Sequence, residues 1–441
     1  MTDARAEHPN VLVVLTDQQR WDTVGAYGSP VDVTPNLDRM AEKGTLLERT
    51  FTTQPVCGPS RACIQTSRHA TENGVWKNAE RLNYDGPTLA GTFSDAGYDV
   101  GYVGKWHLAD VGTDPSPPEH RAGYDGYWRA ADVLEFTSGP GSGYVYDEDG
   151  KRVEFDDYRV DAMTDHAVDF IERDREDPFF LFLSQLEPHH QNDMEEYVAP
   201  EGYAERHENP WVPPDLRDRP GDWYESLPDY YGICERIDES LGRLLDVLEE
   251  QGVADDTVVL FTSDHGCHFR TRNAEYKRSC HESSVRVPAV YRGPGFDGGG
   301  RVEELTTLLD IAPTLVDAAG LDVPDEMAGR SIRPLVDDEP TEWRDDVFVQ
   351  VSESAVERAI RTDRWKYAVY APREEGFEVP SSDKYVERHL YDLRADPHEQ
   401  VNLVGRPDHR DVADELQERL LDRIEAVEGD PVEIRDAEYH A

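Results

Sequence analysis

The stretch Val11-Leu12-Val13-Val14-Leu15-Thr16-Asp17-Gln18-Gln19-Arg20 is a short, largely β-branched apolar run that ends abruptly in polar residues. Such a run reads as a buried strand, with Asp17 at its carboxyl end. Val258 to Thr262 repeats the pattern ahead of Ser263-Asp264-His265-Gly266, and Phe179 to Leu186 does so ahead of Glu187-Pro188-His189-His190. Helical patterns, Asp161 to Arg173 and Leu227 to Gln251, lie between these runs. The alternation predicts an α/β fold, a large mostly parallel sheet with helices on both faces. Ligands of open α/β sheets bind outside the carboxyl ends of the strands, where Asp17 and Asp264 can meet.

Outward from this centre, Thr34 stands as a cap ahead of a helix opening at Pro35, and Thr306 to Ala319 reads as a helix closed by Gly320. After Pro334 the pattern changes. Val347 to Val351, Ala359 to Arg361 and Trp365 to Tyr370 read as short neighbouring strands, and Val412 to Val427 as an amphipathic helix. A small C-terminal antiparallel sheet with one helix is expected, giving domains of residues 1–340 and 341–441.

Against 92 acids the chain sets only 45 Lys and Arg, for a formal net charge of −47. Carboxylates spread this evenly suit a halophile-like surface, hydrated in concentrated salt that screens self-repulsion. They weigh against nucleic acid and anionic membrane as partners. No run approaches the length of a transmembrane helix. Met1 to Asn10 is polar and acidic with no export signal, and the five cysteines show no zinc spacing, so a cytoplasmic protein with reduced thiols is expected.

Cys57-Gly58-Pro59-Ser60-Arg61 puts a thiol, a helix-starting proline and an arginine together at a helix mouth. Pro59 suits the first helical position, and free N–H groups there favour a bound anion. Alone, a cysteine so placed is more often a small buried hydrophobe. Gly104-Lys105-Trp106-His107-Leu108 follows a strand pattern, and on an extended segment Lys105 and His107 face the same way. His268 to Arg278 is a stretch where cations outnumber acids in an otherwise acidic chain, and Lys277 in it is one of only seven lysines. It reads as an anion-binding wall.

Taken in order, Thr34 to Met40, Cys57 to Arg61, Gly104 to Leu108, Pro188 to His190, Thr262 to Gly266, Lys277 with Glu282 and Arg286-Val287-Pro288, and Tyr391-Asp392-Leu393 with Asp396-Pro397 and Asn402-Leu403 resemble the type I sulfatases, across nearly the whole chain. These are formylglycine-dependent enzymes of the alkaline phosphatase superfamily, and this chain resembles an acidic, haloarchaeal-like member. Gln65-Thr66-Ser67-Arg68 departs from the family's usual Leu-Thr-Gly-Arg, and His398 intervenes before Glu399. The resemblance implies that a maturation enzyme oxidises Cys57 to Cα-formylglycine. It implies a divalent metal, Ca²⁺ first and Mg²⁺ second, on Asp17, Gln18, Asp264, His265 and the residue at 57. Many relatives carry Asp and Asn where Gln18 and His265 stand.

By the same resemblance, a hydroxyl of the formylglycine hydrate attacks sulfur in line while the metal, Arg61, Lys105 and Lys277 offset charge on the sulfuryl oxygens. His189 or Lys277 then protonates the leaving alcohol, and His107 takes the proton that releases sulfate. His190, His268, Arg270 and Arg272 are the expected substrate contacts, toward a sulfated small molecule or oligosaccharide. A phosphonate or phosphate diester hydrolase of the same superfamily, and a non-catalytic sulfated-glycan binding protein, are the alternatives that the residues leave open.

Overall fold

The computed structural model describes residues 8–339 and 341–437. The reading of Met1 to Asn10 as a start without export signal falls mostly outside that range, as does Pro340 at the expected domain boundary. Five neighbouring strands run parallel in the order Thr257–Ser263, Asn10–Thr16, Phe179–Ser184, Asp99–Lys105 and Tyr127–Ala131. Ala289–Arg292, Thr45–Phe51 and Gly300–Thr307 extend the sheet on one side, Gly143–Tyr146 and Arg152–Phe155 on the other. Antiparallel pairings flank the parallel centre on both sides, so the eleven-stranded sheet is mixed.

The strand period of two sorts side chains between two apolar layers. Val11, Val13 and Leu15 pack on one face with Phe93 of the helix Leu89–Asp95 and Leu315 of the helix Ile311–Ala318. Leu12 and Val14 pack on the other with Met163 of the helix Arg159–Ile171 and Leu241 of the helix Trp223–Glu250. Strands covered on both faces need continuous apolar runs, which the central ones have. Leu15 lies beside Ser184 and Thr16 beside Ser263, so three segments leave the sheet at one level. Gly104 lets the next strand close up: a Cβ there would stand 2.0 Å from the Ser184 carbonyl oxygen.

The second sheet comprises Asp346–Val351, Glu357–Thr362, Trp365–Tyr370 and Lys384–Asp392 in antiparallel order, with Glu433–Arg435 added parallel to the last. The helix Arg410–Glu428 covers it with Leu416, Leu420 and Ile424. Lys384–Asp392 and Glu433–Arg435 were not expected, because their charged residues hide the strand pattern. Two local expectations change. The Thr34 hydroxyl accepts from Gly25 N at 3.0 Å and leaves the following helix without a side-chain cap. Thr306 and Thr307 end a strand and Leu308–Asp310 is a 3₁₀ turn, so the helix closed by Gly320 begins at Ile311. Among the described residues no helix is long and apolar enough to cross a membrane.

A buried ion network joins the two sheets. Lys366, fully buried on the small sheet, contacts Glu399 at 2.7 Å and Glu282 at 3.0 Å, and Glu282 opens a short helix behind the large sheet. Arg361 adds a contact to Glu282 at 3.3 Å. Buried charges of this kind are tolerated only when paired. Lys366→Met should therefore cost about 3–5 kcal/mol, the usual loss when one partner of a buried pair is removed. Denaturant unfolding measures it, and a midpoint unchanged from wild type would show that the seam is not held by these charges.

Candidate active site

The helix Cys57–Thr66 is buried along its whole length and opens at the carboxyl edge of the large sheet. It starts at Cys57, so Pro59 is its third residue and not its first. The ring does no harm there, since N–H groups of the first turn have no partner within the helix. Gly58 N is taken up by Asn78 Oδ1 at 3.0 Å, and Ser60 Oγ donates to the Asp264 carbonyl at 2.7 Å. At the far end Ser67 adopts φ 51°, the left-handed cap that glycine fills most easily. Serine is held in it because its hydroxyl donates to Leu309 O at 2.7 Å and accepts from Gly329 N at 2.9 Å.

Four ligand-bearing side chains converge on the helix mouth. Donor atoms of Asp17, Cys57, Asp264 and His265 all lie within 4.8 Å of one another, and all four residues are buried. His265 Nε2 is 3.4 Å from Cys57 Sγ and 3.5 Å from an oxygen of each aspartate. Its Nδ1 meets the Gly266 carbonyl at 3.0 Å, so Nδ1 carries the proton and Nε2 keeps a free lone pair. Gln18, in a left-handed turn at φ 75°, donates its backbone N–H to Asp264 Oδ1 at 3.1 Å. Its side-chain nitrogen goes to Tyr197 OH at 2.8 Å, and its Oε1 accepts from Lys277 Nζ at 3.2 Å.

Cations surround this cluster. Lys105 Nζ lies 3.0 Å from both Asp17 and Glu135, and Lys277 Nζ is 2.8 Å from Cys57 Sγ. Arg61 departs from its expected place on the reacting group. Its guanidinium contacts Asp17 at 3.2 Å, Asp264 at 3.3 Å and the Lys105 carbonyl at 2.9 Å, so it braces the two acids from behind. Lys105 and His107 do not share a face: the strand ends at Lys105, and His107 turns away at φ 62°. Lys105 is wholly buried, whereas His107 lines the cleft together with Cys57.

Burial and the neighbouring Cys57 would raise Asp17, but the charges of Lys105 and Lys277 hold its carboxyl well below the usual range. Asp264 shifts upward instead, through burial and the charge of Asp17 beside it. Burial opposes ionisation of the Cys57 thiol too, yet the charges of Lys105 and Lys277 bring it well below the ordinary thiol range. Donor chemistry here fits a divalent cation. His265 Nε2 sits 3.5 Å from Asp17 Oδ1, 3.5 Å from Asp264 Oδ1 and 3.4 Å from Cys57 Sγ, so carboxylate oxygens, an imidazole nitrogen and position 57 converge on one buried spot.

Above the cluster lies an open cleft of about 350 Å³, lined by Cys57, His107, His189, His190, Lys277 and Arg270 among others. His189 and His190 stack at 4.3 Å, and both are shifted downward, mainly by burial. His189 Nδ1 sits 2.7 Å from the His190 carbonyl, which leaves Nε2 as an acceptor. Two expected substrate contacts lie elsewhere. His268 is fully buried with Nε2 on the Lys277 carbonyl at 2.9 Å, and Arg272 donates to the carbonyls of Glu399 and His398, both at 2.8 Å. Both brace the loop that carries Lys277. Glu135 and Asn78 reach the cleft although nothing in their sequence context marks them.

Comparison with known proteins agrees with this geometry. The family model described as Sulfatase matches residues 9–321, and that described as N-sulphoglucosamine sulphohydrolase, C-terminal, matches residues 275–426. The chain is 27% identical over 497 residues to an N-acetylglucosamine-6-O-sulfatase of Bacteroides thetaiotaomicron, covering 94% of this chain and 86% of that protein. It is 29% identical over 449 residues to an ulvan-active sulfatase of Formosa agariphila, covering 97% and 83%. A structure solved in complex with its substrate D-glucosamine-2-N,6-O-disulfate shares the fold, with a TM-score of 0.79 at 24% identity over 96% of this chain and 99% of that one. With one family match running from before the first strand to beyond the helix Ile311–Ala318, the chain belongs to the sulfatase family, enzymes that hydrolyse sulfate esters.

Proposed function

We propose that the chain hydrolyses the sulfate ester of a sulfated saccharide, with Cys57 converted to Cα-formylglycine by a maturation enzyme and a divalent cation, Ca²⁺ ahead of Mg²⁺, on Asp17, Gln18, Asp264, His265 and position 57. The observation that carries the reading is the place of Cys57 Sγ on the cleft floor, 2.8 Å from Lys277 Nζ, 3.4 Å from His265 Nε2 and 3.5 Å from Asp17 Oδ1. The saccharide class is supported by relatives named for N-acetylglucosamine-6-O-sulfate and ulvan.

The hydrated aldehyde supplies a nucleophile toward sulfur, and the cation polarises a sulfate oxygen. The chain's own groups do the rest. Lys105 and Lys277 set positive charge where the sulfuryl oxygens gather, in a site from which water is largely excluded. Lys277 Nζ, an ammonium reaching the cleft floor, donates the proton to the leaving alcohol oxygen. His189 presents an unprotonated Nε2 that accepts a hydrogen bond from the alcohol once Lys277 has protonated it, and His107 holds the base position beside residue 57. Arg61 fixes the two aspartates.

We read residues 1–340 as the catalytic domain and 341–441 as a C-terminal subdomain, since each sheet draws its strands from one range only. All five cysteines are unpaired, which supports a reducing compartment such as the cytoplasm. The acidic excess supports a salt-rich one.

In mass spectrometry the peptide spanning residue 57 should carry an aldehyde in place of the thiol, and Cys57→Ala should lose turnover by at least about 10³-fold while keeping its unfolding midpoint. Near wild-type activity of that variant would overturn the proposal. Exhaustive chelation should remove activity and lower the melting temperature together, because a ligand that binds only the folded state stabilises it. Full activity in protein shown by elemental analysis to be metal-free would exclude the cation. With a net charge of −47 to screen, the melting temperature should rise steadily from low to molar KCl. A flat or falling curve would count against a salt-adapted surface.

A further inference from the structure

The floor of the cleft is cationic, but its rim is not. Two guanidiniums stand there, and both are already neutralised. Arg270 lies 3.4 Å from Glu195 and 3.5 Å from Asp222, with its face 4.7 Å over the Tyr276 ring. Arg278 contacts Glu353 at 2.5 Å and Glu275 at 2.7 Å. Four carboxylates thus serve two guanidiniums, and the rim carries excess negative charge before any substrate arrives. Glu195 and Glu275 are its solvent-facing members, 71% and 48% exposed. Asn78 and Asn192 complete it with amides. Stacking of a sugar on Tyr276 is blocked, since His190 lies at 4.2 Å on the ring and Arg270 covers it as well.

We infer that this rim selects the alcohol part of the substrate: a saccharide unit bearing hydroxyl or amino groups and no second anion near the scissile sulfate. The inference rests on the sulfatase reading above and narrows it. Hydroxyl and ammonium hydrogens find free lone pairs on Glu195 and Glu275. A second sulfate would have to pull a guanidinium from its carboxylate, leaving that carboxylate uncompensated beside the new anion. Charge-assisted pairs are exchanged with no gain, and the added repulsion discriminates against the doubly charged sugar.

The test compares a monosulfated monosaccharide with the same sugar carrying a second sulfate, and uses a small neutral aryl sulfate as reference. Wild-type kcat/KM should favour the monosulfated sugar by about tenfold or more, and the double variant Glu195→Gln, Glu275→Gln should close most of that gap. Equal or faster turnover of the disulfated sugar by wild type, or a gap that the double variant leaves unmoved, would overturn the inference. If the aryl sulfate also goes unhydrolysed, the failure belongs to the sulfatase reading. Calorimetric binding of the two sugars to the same protein then reads the rim directly, with tighter binding of the monosulfated sugar expected and tighter binding of the disulfated one fatal.

Discussion

Everything at this site is arranged around one wholly buried carboxylate. Asp17 leaves the central strand of the sheet's parallel core with no access to water, and it stays ionised because cations surround it, with Lys105 at 3.0 Å and Arg61 at 3.2 Å on its Oδ2 and Lys277 at 3.8 Å on its Oδ1. Burying a charge without partners is prohibitive, so the acid and its cations stand or fall together. Lys105 is in turn fixed by Glu135, and Arg61 by Asp264. The helix beginning at Cys57 is thereby pinned to two strands, and its first residue is aimed at the remaining oxygen of Asp17.

How far the sequence discloses this depends on the kind of contact. Strand ends are legible because apolar runs are contiguous, and a parallel core forces their carboxyl ends to one edge; that brings Asp17 and Asp264 together, while the roles expected of them and of Lys105 came from the family resemblance. Glu135 was not foreseen. It lies on a four-residue helix after the strand Tyr127–Ala131, and its only distinction is a partner thirty residues away along the chain. Arg61 was placed in the motif but aimed wrongly, since sequence cannot tell whether a guanidinium faces a cleft or the acids behind it. His107 was expected on an extended segment, and a left-handed turn moved it. The arginines after His268 looked free because their partners, Glu195, Asp222, Glu353 and two carbonyls near residue 399, are remote in sequence.

The small sheet contributes to the site at one remove. Glu353, just past the strand Asp346–Val351, accepts from Asn78 N at 2.6 Å and from Arg278 at 2.5 Å. One buried carboxylate thus clamps the wall that holds Gly58 and the loop that holds Lys277. Arg272 ties the same loop to the segment at Glu399, which also belongs to the Lys366 network. The C-terminal part is a brace that keeps the segments carrying Asn78 and Lys277 in register across the cleft.

Cys57 is only 2% exposed and begins a helix with no solvent-facing residue, on the floor of the cleft. An enzyme that modifies this residue needs an extended stretch of chain on either side of it, and the finished fold offers none. The proposed oxidation is therefore a race against collapse of the nascent chain. Its yield would be set during synthesis by how long residues near 57 wait for strands as distant as Thr257–Ser263 to be made, and no later exposure to the modifying enzyme would correct a molecule that folded first.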